Sequence, residues 1–205
     1  MPIDPMDTTP SSAGGSRLDR LVLVWRAKAL LFLGMRGAAK AVFLELLKRW
    51  PDDVLALNSL AYDAIQSRHP AIALGYYARV LKLQPEVSNA HFNHAFVAEE
   101  LGQTEVAEQG FRAALRIEEK MDRAWYGLGL VLVRQGRLDE ALVALKRNTS
   151  LQPMSPFGWY QMARVHVDLQ QPEEARAVIL HLKGFEPKVA AQLERETGLK
   201  VTSLV

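Results

Sequence analysis

Pro51, Pro85, Pro153 and Pro187 stand on one 34-residue register, with Glu119 at the single tooth that lacks a proline. A period of this length marks a chain assembled from copies of one small unit, and it limits the fold to stacked repeats. The same register carries Ala39, Ala73, Ala107, Ala141 and Ala175, each followed four places on by a bulky residue: Phe43, Tyr77, Phe111, Leu145 and Ile179. Units beginning at 20, 54, 88, 122 and 156 place Ala27, Ala61, Ala95, Gly129 and Ala163 eighth, all small enough for two helices to touch. Turn signals fall midway, at Gly34, Gly102 and Gly136, and at Arg68-His69-Pro70 and Gln170-Gln171-Pro172, where a proline starts the next helix. Each unit therefore reads as helix A, tight turn, helix B, with the late proline ending helix B.

In the fourth unit Trp125, Leu128, Gly129, Ala141 and Pro153 complete a pattern that resembles the tetratricopeptide repeat family, and the resemblance runs over residues 18–189. It implies an all-α, right-handed superhelical solenoid of five helix-turn-helix units (20–53, 54–87, 88–121, 122–155 and 156–189), in which helix A of each unit lines a concave groove. A capping helix is expected over 188–197, ended by Gly198. The solenoid then spans 18–197, between a disordered tail over 1–17, rich in Pro, Ser, Thr and Gly, and a short tail over 198–205 that ends Ser203-Leu204-Val205. That ending has the shape of a PDZ-domain ligand, but three residues are slight support and a frayed end is the preferred reading.

Several function classes are disfavoured. Basic and acidic residues number eight and six in 1–53, six and eight in 54–121, and eleven and nine in 122–205. With no basic block, nucleic acid is not an expected partner. Cysteine is absent, so disulfides, thiolate metal sites and a cysteine nucleophile are unavailable. The first residues lack the basic start and apolar core of a secretory signal, and a cytoplasmic setting is expected. The greasiest run, Leu18 to Leu33, is broken by Asp19, Arg20, Arg26 and Lys28, so neither a membrane span nor direct membrane insertion is expected. No nucleophile-elbow or phosphate-loop motif occurs, and adjacent acids such as Glu99-Glu100 and Asp139-Glu140 point about 100° apart on a helix. No catalytic residue, cofactor or metal is expected, and the chain reads as a non-enzyme. His91 and His94 share a helical face, but no third ligand is spaced to match, and they occupy the interior places that Trp125 and Leu128 take one unit later. They are expected as a packed or hydrogen-bonded pair.

The resemblance also implies a binding surface. The family lines its groove with the second, fifth and ninth places of helix A, among others. The fifth places are Val24, Asn58, Phe92, Tyr126 and Tyr160; the ninth are Lys28, Tyr62, Phe96, Leu130 and Arg164; the second include Asn89, Arg123 and Phe157. Asn58, Tyr62, Asn89, Phe92, Phe96, Arg123, Tyr126, Tyr160 and Arg164 are the expected peptide-binding residues, with the aromatics as a contiguous stripe and Arg123 set to meet a carboxylate. The alternative is that these aromatics only pack between units or against the capping helix. The clamp of Lys, Asn, Asn, Lys and Arg with which some members hold chaperone tails is not matched.

The first hairpin is apolar on nearly every side, and Leu21, Val22, Trp25 and Phe32 mark a surface for a partner or a homodimer through the amino-terminal repeat, unless the 17-residue tail covers it. The leading functional expectation is an adaptor or assembly scaffold that holds an apolar segment or helix of a client protein. A dedicated chaperone for an assembly-prone or secreted subunit, and a non-catalytic regulatory subunit of an enzyme complex, stay open beside it.

Overall fold

A computed structural model describes residues 16–201, whose regular structure is entirely α-helical. In chain order the helices are α1 (Arg17–Phe32), α2 (Arg36–Arg49), α3 (Val54–Gln66), α4 (Pro70–Leu83), α5 (Ser88–Glu100), α6 (Thr104–Ile117), α7 (Asp122–Arg134), α8 (Leu138–Leu151), α9 (Pro156–Asp168), α10 (Pro172–Phe185) and α11 (Pro187–Thr197). α1 with α2, α3 with α4, α5 with α6, α7 with α8 and α9 with α10 pair as antiparallel hairpins, and the chain divides after Leu83 into two compact bodies, α1–α4 and α5–α11. Of the amino-terminal tail expected over 1–17, only the last two residues are described. Ser16 caps α1, accepting from the Asp19 amide while Asp19 accepts from its own, and Arg17 opens the helix. The Ser203-Leu204-Val205 ending lies outside the described residues.

The turn inside each hairpin is set by backbone conformation. Gly34, Arg68, Gly102, Gly136 and Gln170 all adopt positive φ, from 57° to 74°, at the same place in each unit. At each, the next residue's N–H reaches back to a carbonyl five residues earlier, as Met35 does to Leu30 and Gln171 to His166, closing the helix with a left-handed cap. Arg68 and Gln170 occupy a region that a side chain disfavours, and in those two units helix B begins on Pro70 or Pro172. Reading these two turns as proline turns alone misses the left-handed residue that the register requires.

Packing follows the alanine lattice. Ala27, Ala61, Ala95 and Ala163 are completely buried, as are Ala39, Ala73, Ala107, Ala141 and Ala175. At Gly129 an added Cβ would lie 2.8 Å from Leu145, so α7 and α8 are in contact through that point. The first body buries Leu23, Val24, Val42, Phe43, Leu46 and Leu60 together. In the second, α8, α9, α10 and α11 share a core that includes Leu145, Met162, Ile179, Leu182 and Leu193.

A repeated clip ties helix A to the turn before it. Trp159 donates its indole N–H to the Pro153 carbonyl at 2.9 Å, Trp125 to the Glu119 carbonyl at 2.7 Å, and the His91 Nε2 stands 2.7 Å from the Pro85 carbonyl. The geometry assigns the proton of His91 to Nε2, where it mimics an indole. Glu119, the residue without proline on the register, still supplies the carbonyl.

Candidate functional site

Within the second compact body, α5–α11, the fifth and ninth places of α5 and α7 and the second place of α9 surround a cavity of about 270 Å³. Phe92 and Phe96 enter from α5, Arg123, Tyr126 and Leu130 from α7, and Phe157 from α9. The rings of Phe92 and Phe96 are stacked with centroids 6.2 Å apart, and Phe92 is tilted against Phe111 at 5.8 Å. Phe111 belongs to helix B, and the groove register does not point to it. It reaches the cavity because Gly127 holds the place where other units carry Trp25, Ser59, Asn93 and Gln161; a Cβ at Gly127 would sit 2.5 Å from the Phe111 ring. The missing side chain lets the ring form the floor.

Phe92 is buried, whereas Phe96 is 40% and Phe157 67% exposed. Phe92 therefore acts as a support, and Phe96, Tyr126 and Phe157 offer the accessible apolar surface. The Arg123 guanidinium lies 4.8 Å from the Phe92 ring centre, a cation–π contact that holds it at the rim, and it reaches Asn89 only at 3.5 Å. Glu99 on the opposite rim is paired with Arg134 at 2.6 Å. Asn148, nearly buried, donates to the Asp122 carbonyl and completes the wall with Gln152 and Ser155. These three polar residues come from helix B of the fourth unit and the turn after it, which a register confined to helix A does not sample.

The other expected residues lie elsewhere. Tyr160 is absent from the cavity lining; its hydroxyl donates to Glu196 of α11 at 2.6 Å, and Arg164 lies over its ring. Hydrogen bonding to that carboxylate raises the Tyr160 pKa and lowers that of Glu196. Tyr160 thus takes part in the contact with the capping helix, with Arg164 over its ring. Asn58 and Tyr62 lie in the first compact body, α1–α4, and line a different cavity, beside Arg36 and an ion pair of Lys40 with Asp63 at 2.8 Å. Asn58 donates one of its two amide N–H groups to the Val54 carbonyl one turn back.

Leu21, Val22, Trp25 and Phe32 are all exposed along α1. His91 and His94 are half-buried, and burial, reinforced by His91, holds the pKa of His94 below the usual histidine range. Among the described residues there is no group of three His, Cys, Asp or Glu able to hold a metal, and no helix is long and apolar enough to cross a membrane.

Profiles described as tetratricopeptide repeat match residues 21–53, 59–121, 97–147 and 156–180. Tetratricopeptide repeat protein 37 of Xenopus laevis is 29% identical over 131 residues, which cover 60% of this chain and 8% of that protein. The chain therefore spans less than a tenth of that curated relative. Among solved structures, MamA from Desulfovibrio magneticus RS-1 superposes with a TM-score of 0.72 at 19% identity, covering 86% of this chain and 96% of its own. YrrB, a TPR protein with an unusual peptide-binding site, gives 0.74 at 18% identity, with coverage of 84% and 90%. At such identities the likeness is one of fold.

Proposed function

The chain belongs to the tetratricopeptide repeat family, and we propose that it is a protein-binding scaffold whose second compact body, α5–α11, grips an apolar segment of a client protein. The observation that carries this reading is the aromatic cavity, in which Phe96, Tyr126 and Phe157 stand accessible around a supported floor with Arg123 fixed at the rim. Rigid aromatic walls give contact area with little loss of rotamer freedom, and one guanidinium that remains charged orients an extended ligand. An anchoring side chain of leucine to phenylalanine size suits the cavity, with an acidic group or a chain carboxylate beside it for Arg123. The peptide-binding site of YrrB supports the reading by analogy of fold. The role is binding, not catalysis: the acids at the rim, Glu99 and Asp122, serve an ion pair and a helix start.

Peptides of about a dozen residues selected on the full chain from a random display library, enough to span the cavity in extended form, would test it. The selected sequences should share one large apolar anchor. Phe96→Ala/Tyr126→Ala should weaken them at least about tenfold, near 1.4 kcal/mol, while the variant melts as cooperatively as the parent. Equal binding to parent and variant would sink the reading. Phe92 is a poor probe, because its burial confuses folding with binding. Capture of the native client would then separate a scaffold, which stays in the mature assembly, from a chaperone, which leaves it.

A further inference from the structure

The repeat register does not explain the outer side of α1. At the places of Val22 and Trp25, the later units of the second body carry Ala124 with Gly127 and Gly158 with Gln161, and Gly127 and Gly158 lie hard against helix B of the preceding unit. On α1 those places hold large apolar groups that stand in the open, Trp25 being 64% exposed. The corner after α1 departs in the same way. Phe32, Leu33 and Met35 project from the turn, Phe32 to 90%, where the matching residues are Gln66, Ser67 and His69, then Glu100, Leu101 and Gln103, then Arg134, Gln135 and Arg137.

At about 100° per residue, Leu18, Leu21, Val22, Trp25 and Phe32 form a stripe on the side of α1 opposite Leu23, Val24 and Ala27, which face the core. Arg17 and Lys28 flank that stripe on one edge and Arg26 on the other, with Arg36 just past the corner. These four cations make no ion pair among the described residues, and Lys28 lies over the Trp25 ring. The one acid of α1, Asp19, is held in the capping box. The result is a convex ridge with Trp and Phe at its crest and Arg and Lys along both margins. A second copy would bring like charges together along those margins, and a closely packed helix would want small residues where Val22 and Trp25 stand.

We propose that this ridge docks the protein on an anionic lipid surface, with α1 lying in the interfacial plane. The helix rests on the bilayer and does not cross it: Trp25, Phe32 and Met35 enter the headgroup boundary and the flanking cations meet lipid phosphates. This is independent of the peptide cavity, since none of the residues is shared.

Flotation of the full chain with vesicles of phosphatidylcholine, with and without about one-third phosphatidylserine, tests it at two salt concentrations. Binding is expected only to the anionic vesicles, weakened by salt, and lost by at least tenfold in Trp25→Ser/Phe32→Ser. Phe96→Ser should bind vesicles like the parent. The proposal is overturned if the parent fails to float, or if the double variant floats as well as the parent. It is equally overturned if the parent fails to float while light scattering finds a dimer that the variant abolishes, or while an acidic amphipathic peptide is bound. The first of those assigns the ridge to a second copy and the other to a protein partner.

Discussion

The two ends of the array solve one problem in opposite ways. At the carboxyl end α11 lies over the last hairpin, burying Ala190 and Leu193 completely and turning Arg195 and Glu196 outward. Lys183 reinforces the closure by reaching both Glu194 and the Val201 carbonyl, so that residues 199–201 fold back along the cap. At the amino end α1 buries one face and leaves a second apolar face bare. Eleven residues suffice to close a hairpin of this kind. The apolar face of α1 has no such cover among the described residues, and this is why it asks for a partner.

The sharpest way to break the contrast is at Leu193. Leu193→Ala should destabilise the chain by about 2–5 kcal/mol in urea melts, whereas Leu21→Ala on the open ridge should stay within about 0.5 kcal/mol. Comparable losses at the two sites would mean that the ridge is covered. A smaller effect sharpens the picture inside the capped hairpin. Gln170→Gly relieves a side chain at φ 57° and should stabilise by about 0.5–1 kcal/mol, while Gly136→Ala in the neighbouring hairpin should cost a similar amount. No gain at Gln170 would show that the turn is held by contacts that outweigh its strain.

The smallest expected effect lies at α5, far from either end in sequence. The folded pKa of His94 lies below its unfolded value, so the unfolded chain takes up the proton first. Stability is full above the ordinary histidine range near pH 6.5 and declines as the pH falls through it toward the lowered folded value. The melting temperature should therefore drop modestly between about pH 7.5 and about pH 5.5, and His94→Leu, copying Leu128 one unit later, should flatten that slope. An unchanged slope would place the sensitivity elsewhere.

Fold and site were legible to different depths, for a physical reason. Interior places such as Ala39 with Phe43, or Ala175 with Ile179, repeat because every hairpin meets the same packing constraint, so periodicity reveals them. A binding surface has no such constraint. Phe96, Arg123 and Tyr126 could be placed by carrying the family's groove positions over, yet Tyr160 turns to the capping helix because its hydroxyl bonds Glu196. Phe111 enters the cavity only through the absence of a side chain at Gly127, a vacancy in one unit that no periodic argument detects. Asn148, Gln152 and Ser155 come from helix B and the turn beyond it. Asp53 was likewise passed over: it caps α3 through the Ala56 amide and takes Arg20 at 2.6 Å, a link between hairpins that depends on three dimensions.

The ring clips at His91, Trp125 and Trp159 bear on how such an array can diverge over generations. Substitution is tolerated, since an imidazole does the work of an indole at His91 and Glu119 replaces proline as the acceptor's owner without changing the acceptor. Insertion is not. One residue added between Pro153 and Trp159 would swing the ring by about 100° around its helix and part it from its carbonyl. In the three hairpins that carry it, the clip thereby constrains unit length more tightly than it constrains the identity of the ring.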